Sequence, residues 1–229
     1  MADLDAPTLT PLVFGGTTIT ALTSRVIGTG GHVWDGARLL CEFLATPIGR
    51  ATVYGRAVLE LGAGTHGAPG LLAAHLGASS VLLTDRAHLL PSLLAAVRAN
   101  VPALAAAGAP TPHAAALEFG GNLRKALGGA VGAPGAFHLV LMSETLSLSP
   151  ALFPLLQKTL RDAAPGGGLL AGYRAREGFE GGFWEGLRGE GWRVAEVARG
   201  WGCSEPGLEG CPAVVVGAAA PGSARAPWE

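Results

Sequence analysis

The chain has 229 residues, 49% of them hydrophobic, and balances 16 Lys and Arg against 17 Asp and Glu for a net charge of −1. That length fits one α/β domain with a short N-terminal addition and leaves little room for a second catalytic domain, while the apolar share supplies one sizeable core. Near-neutrality without a basic run argues against nonspecific nucleic-acid binding and against docking on an anionic membrane; a specific groove is not excluded.

Residues 1–11 lack the charged start and apolar middle of a signal peptide, and no apolar run reads as long enough to cross a bilayer, so a cytosolic or nuclear protein is expected. Residues 12–23 alternate on either side of Gly15-Gly16, which predicts a hairpin at an edge or lid. Val33, Ala37, Leu40 and Leu44 then have helical spacing, ending before Thr46-Pro47. From there strands and helices alternate. Val58–Leu61 reads as strand one, and Pro69–Leu76 as a helix with proline near its start and Gly77 at its stop. Val81–Asp85 is strand two, followed by a helix carrying Leu90, Leu93, Leu94 and Val97 and stopping near Asn100-Val101-Pro102. After a glycine- and proline-rich loop over 108–112, His113–Leu117 forms a weak third strand and Phe137–Met142 a strong fourth.

Ser149-Pro150 reads as a helix start leading to Leu152, Leu156 and Leu160, with Pro154 pushing the regular helix toward Leu152. Gly166–Gly168 breaks it before strand five, Leu169–Tyr173; a helix around Phe183 and Leu187 leads to Trp192–Val197 and finally Ala213–Val216. The last two runs are joined with no room for a crossover helix of ordinary length, so they should pair antiparallel. Ala218–Glu229 reads as a frayed tail. Cys41, Cys203 and Cys211 contain no Cys-x-x-Cys pair, and the six histidines lack ligand spacing, so neither a disulfide framework nor a metal site is indicated.

The chemistry concentrates in residues 57–67, Ala-Val-Leu-Glu-Leu-Gly-Ala-Gly-Thr-His-Gly, a buried strand running into a glycine turn. A Cβ at Gly62 or Gly64 would keep the backbone from closing on a ligand, and tight turns often demand positive φ. Gly62, Gly64 and Gly67 also spell the dinucleotide fingerprint, so the glycines alone leave a hydride carrier and a methyl donor both open. Asp85, 25 positions after Glu60 and at the end of strand two, can accept from both ribose hydroxyls. Glu60 should lie mid-sheet, where an unpaired carboxylate is costly; with a methyl donor it would face the methionine end. At the end of strand three, Phe119 can cover an adenine face while Glu118 accepts from its amino group. Glu144, after strand four, points to the cleft where an acceptor would enter, and its carboxylate can hold a cationic amine and orient its lone pair once deprotonated.

The blocks Gly30-Gly31-His32-Val33-Trp34-Asp35-Gly36-Ala37, Glu60-Leu61-Gly62-Ala63-Gly64-Thr65, Thr84-Asp85 with Leu90-Pro91, and the acid after strand four occur in this order. From about residue 12 to 217 the chain resembles the seven-β-strand protein lysine methyltransferases, the methyltransferase family 16 group. The Val-Trp-Asp block upstream of the glycine turn discriminates most. The resemblance implies a single domain over 1–229: an N-terminal hairpin and helix (1–50), a Rossmann-like α/β core with a mostly parallel seven-strand class I methyltransferase sheet and an antiparallel final strand (51–217), and a flexible tail (218–229). Nicotinamide Rossmann domains usually continue with a parallel sixth strand instead.

The same resemblance implies that Trp34, Glu60, Gly62, Gly64, Asp85, Phe119 and Ser143 line an S-adenosylmethionine pocket and that Glu144 faces the substrate. The expected activity is metal-free, in-line methyl transfer to a protein side-chain nitrogen by a monomer, lysine first. Ser143-Glu144-Thr145 with 178–182 (Gly-Phe-Glu-Gly-Gly) also resembles protein histidine methyltransferases, and a non-catalytic adaptor that binds the donor is a third reading. Three departures from the family pattern stand out. His66 is a one-residue insertion in the glycine turn, Phe119 stands where Trp is frequent, and Ser147 stands where an acid-x-x-aromatic motif carries Tyr or Phe. Either Tyr173, Phe183 or Trp184 fills the space left at Ser147, or the acceptor is bulkier than a lysine tip.

Overall fold

The protein is described by a computed structural model over residues 6–24, 27–123, 137–175, 179–200, 212–223, 226 and 228. Gly15 and Gly16 both take positive φ, 53° and 83°. This lets a two-residue turn match the twist of its flanking strands. Thr8–Phe14 (β1) and Thr17–Thr23 (β2) therefore pair antiparallel, Phe14 opposite Thr17, in a hairpin that begins before the expected residue 12.

Asp35–Ala45 (α1) is followed at once by a second helix, Pro47–Val53 (α2), which the periodicity did not reveal. Thr46 explains both boundaries: its hydroxyl donates to the Phe43 carbonyl at 2.7 Å and accepts from the Gly49 N–H at 3.1 Å, with Pro47 in the first turn. A Thr-Pro pair that stops one helix is also a good start for the next.

Ala57–Leu61 (β3), Ser80–Asp85 (β4), His113–Ala116 (β5), Leu139–Ser143 (β6), Gly168–Arg174 (β7), Arg193–Gly200 (β8) and Ala213–Ala219 (β9) form one sheet in the order β5-β4-β3-β6-β7-β9-β8. β3 to β7 are mutually parallel, and β9 runs between β7 and β8 antiparallel to both, the pairing with β8 being the one expected for the last two runs. Side chains alternate across each strand. Leu139 and Leu141 thus join one core with the hairpin, α1, Ala68–His75 (α3) and Leu90–Ala106 (α4), while Val140 and Met142 join another with Phe153–Ala163 (α5) and Gly181–Gly189 (α6). α5 begins at Phe153, so Pro154 falls in its first turn, where a missing N–H costs nothing.

Three expectations need correction. α4 does not stop at Pro102 but continues to Ala106, because Pro102 is exposed and the next turn carries the fully buried Leu104 into the core. Asn100 serves the hairpin instead of ending the helix: its amide accepts from the Thr20 N–H at 2.8 Å and donates to the Thr20 carbonyl at 2.7 Å. The helical stretch Ala87–Ala106 is 20 residues long and apolar enough to cross a bilayer by length and composition; in this fold Leu93, Ala96, Val97 and Leu104 are buried. The tail is not frayed where described. β9 runs to Ala219, the Ser223 hydroxyl donates to the Gly166 carbonyl at 2.8 Å, Ala226 is buried, and Trp228 packs on Gly217 where a Cβ would collide with its ring.

Candidate active site

β3 sits in the middle of the sheet, and its carboxyl end opens into the glycine turn. Gly62, Gly64 and Gly67 all have positive φ, from 53° to 71°. A Cβ at Gly64 would lie 2.6 Å from the Gly30 carbonyl oxygen, which accepts from the Thr65 N–H at 2.8 Å. Asp85, at the end of the neighbouring β4, steadies the same turn: Oδ2 accepts from the Gly64 N–H and Oδ1 from the Arg86 N–H, each at 2.7 Å.

Beside this turn lies a cavity of about 430 Å³. Its walls include Trp34, Gly62, Gly64, Asp85, Phe119, Ser143 and Glu144, seven of the eight residues expected there. Phe119 is half-buried and Glu118 exposed on the same wall. The Trp34 indole N–H donates to the Thr29 carbonyl at 2.8 Å, and its ring lies 4.9 Å from that of His32.

Glu60 is the residue that does not line the cavity. Strand alternation puts it with Val58 on the α3 side, where Oε2 accepts from the Gly70 N–H at 2.8 Å, within the first turn of that helix. It is fully buried, and Oε1 has no hydrogen-bond partner among the described residues. Burial pushes its pKa up to about 8, against the lowering effect of the Gly70 N–H and with a smaller contribution from Asp85. Between pH 4.5 and about 8 the folded chain therefore holds a proton that the unfolded chain releases, so this group's stabilisation is full below 4.5 and falls as pH rises through 8. Glu60→Gln is expected to match the parent near pH 5 and exceed it by a few kcal/mol at pH 9. Chemical denaturation at both values checks this, and equal alkaline losses in both proteins would mean that Glu60 is charged in the fold.

Glu144 is held from three directions. Oε1 accepts from the Gly36 N–H at 3.1 Å and the Arg174 N–H at 2.9 Å, and Oε2 from the Ser147 hydroxyl at 2.8 Å. Its backbone has φ 54°, the one positive φ on a non-glycine among the described residues. Strain of this kind persists only where surroundings over-determine it. Here the Glu144 N–H also donates to the Gly172 carbonyl at 2.9 Å. The approach is tight: a Cβ at Gly36 would meet Glu144 Oε1 and the Tyr173 backbone, and one at Gly172 would meet the Gly36 carbonyl.

Arg174 was missed by the sequence reading. Its fully buried guanidinium pairs with Asp35, the acid of the Val-Trp-Asp block, and so ties the start of α1 to the end of β7 beside Glu144. A charge closing a wholly apolar strand, with an acid left over upstream, was the available signal. Tyr173, Phe183 and Trp184 do not supply an aromatic wall. All three are buried and absent from the cavity; Trp184 donates to the Tyr173 hydroxyl at 2.8 Å and meets the Phe183 ring edge-on at 4.9 Å. Leu148, Leu152 and Leu155 add aliphatic lining to the cavity, Leu155 lying against Gly120 beside Phe119.

Residues 15–189 match a protein-family model described as lysine methyltransferase. The chain is 35% identical over 140 residues to Protein N-lysine methyltransferase METTL21A of Danio rerio, covering 61% of this chain and 58% of that protein. It is 36% identical over 135 residues to EEF1A lysine methyltransferase 3 of Mus musculus, covering 59% and 51%. These matches thus span little more than half the length of the curated relatives. Among solved structures, the T. thermophilus 16S rRNA N2 G1207 methyltransferase (RsmC), in complex with AdoMet and guanosine, is similar with TM-score 0.61 at 19% identity, over 93% of this chain and 50% of that one. P. horikoshii TYW2, in complex with MeSAdo, follows with TM-score 0.56 at 15% identity, over 93% and 72%. At such identities the likeness is one of fold.

Proposed function

The chain belongs to the lysine methyltransferase family that its residues 15–189 match, and on that premise we propose that it transfers a methyl group from S-adenosylmethionine to a side-chain nitrogen of a protein, lysine first. The observation that carries the reading is the cavity at the carboxyl edge of β3, β4 and β6, where Gly62, Asp85, Phe119 and Glu144 face one space.

The walls suit the donor in shape and chemistry. The glycine turn leaves its backbone side open where a Cβ would fill the cradle, Asp85 offers carboxylate oxygens to ribose hydroxyls, and Phe119 offers a flat apolar face to adenine. Glu60 acts one layer behind, holding the first turn of α3 and thereby the glycine turn, without touching the donor. When bound, the donor supplies an electrophilic methyl on a sulfonium, which needs no metal and no covalent intermediate on the protein.

The chain's own contribution is positioning. Glu144 presents a fixed negative charge at the cavity wall, which attracts an ammonium and, once that group has lost its proton, orients its lone pair. The aliphatic side formed by Leu148, Leu152 and Leu155 would lie against the acceptor's methylene stem. A donor-binding adaptor without turnover is the second reading, favoured by the bonds from the Gly36 and Arg174 N–H groups and the Ser147 hydroxyl, which give the Glu144 carboxylate a structural task joining α1, β6 and β7.

Asp85→Ala tests the donor site. It removes a charge-assisted acceptor of roughly 1.5–3 kcal/mol, so donor affinity should fall about ten- to a hundredfold by calorimetry. Unchanged affinity would take Asp85 out of the site. Labelled methyl transfer to proteins of a cell extract separates the enzyme from the adaptor.

A further inference from the structure

One part of the cavity wall comes from outside the sheet. It is the segment 28–34, which contributes Thr29, Gly30, His32 and Trp34. The bond from the Thr65 N–H to the Gly30 carbonyl is one link between this segment and the glycine turn; the other runs through His66. The ring of His66 is 4% exposed and lines the same cavity. Its Nδ1 accepts from the Ala68 N–H at 3.1 Å, so the neutral ring carries its proton on Nε2 and donates to the His32 carbonyl at 3.0 Å. Burial pulls the His66 pKa down to about 4, which keeps the ring neutral and both bonds intact near pH 7.

The two bonds do different things. Gly67, the residue before α3, has no side chain with which to cap the helix, so the Nδ1 bond to Ala68 performs that task and serves folding. The Nε2 bond reaches 34 residues back and serves the wall. We propose that His66 is a positioning residue for the methyl-donor pocket: it latches the 28–34 segment onto the glycine turn, so that donor affinity depends on the bond to His32 separately from fold stability. This rests on the donor-binding reading given above.

Two isosteres separate the roles. In His66→Asn the side-chain oxygen can take the Nδ1 position and accept from the N–H two residues on, as asparagine does in turns, but it is too short to reach His32. In His66→Gln the amide can extend to the Nε2 position and donate to His32, at the expense of the cap. Binding of S-adenosylhomocysteine to the full chain is measured by calorimetry, alongside thermal unfolding. His66→Asn is expected to bind about three- to tenfold more weakly, the scale of one hydrogen bond; His66→Gln is expected to bind like the parent although, with the cap lost, it melts lower than the parent. Parent-like affinity in His66→Asn, or lost affinity in a folded His66→Gln, would overturn the latch. Absence of binding by the parent itself would overturn the donor-site reading and the latch with it, and is told apart because it involves no variant.

Discussion

Arg174→Met is expected to lower the stability of the fold by about 3–5 kcal/mol, the scale of removing one partner from a buried ion pair. The guanidinium is fully buried and its partner Asp35 nearly so. Methionine fills much of the volume, so the loss comes chiefly from leaving the Asp35 carboxylate charged in a low-dielectric site. Asp35→Asn should cost a similar amount for the mirrored reason. The double variant Asp35→Asn/Arg174→Met removes both charges and should recover most of either loss, since a neutral replacement of a buried pair is often near break-even. Denaturant midpoints for the four proteins give the coupling energy directly. Additive single costs would show that the two side chains act independently.

The pair also explains why the Val-Trp-Asp block precedes the glycine turn. Trp34 enters the cavity wall, Asp35 anchors the first turn of α1 to the end of β7, and Gly36 lets that turn approach close enough for its N–H to reach Glu144. Three consecutive residues thus serve the cavity wall, anchoring and close approach.

What was legible in the sequence was local. Apolar strand runs, the glycine turn and the acid ending β4 are short-range patterns, and they were enough to place the parallel strands and to single out Gly62, Gly64, Asp85, Phe119 and Glu144, whereas Trp34 and Ser143 came only with the family resemblance. What was missed is long-range or dual in meaning. Asp35 and Arg174 lie 139 residues apart, and Asn100 meets Thr20 across 80, so no window along the chain contains either contact. Thr46-Pro47 was read only as a stop, although the same chemistry starts α2. Pro102 was read as a stop because an isolated proline weakens a helix by roughly 3 kcal/mol, and the burial of Leu104 that offsets this is a tertiary fact. Glu60 was read toward the ligand because its cost of burial was clear and its helix-turn partner, Gly70, was not.

Glu144→Gln is expected to reduce turnover by roughly a hundredfold or more while changing donor affinity by no more than about threefold, the usual pattern for a positioned charge used on the acceptor side. The geometry makes this a test of charge alone. The amide oxygen can still accept from the Gly36 and Arg174 N–H groups, and its NH₂ can donate to the Ser147 hydroxyl, which need only rotate its proton. The strained backbone at φ 54° thus keeps its anchors, and the melting temperature should stay close to that of the parent. Ser147→Ala gives the complementary comparison: it removes one donor and keeps the charge, so its effect on turnover should be much smaller than that of Glu144→Gln. The pairing of Ser147 with Glu144 also accounts for a position without an aromatic ring, because here the side chain orients the carboxylate and does not wall the channel. If Glu144→Gln turned over methyl groups at the parent's rate, the carboxylate would be a structural clamp between α1, β6 and β7, and the acceptor would be aligned by the aliphatic wall without help from a charge.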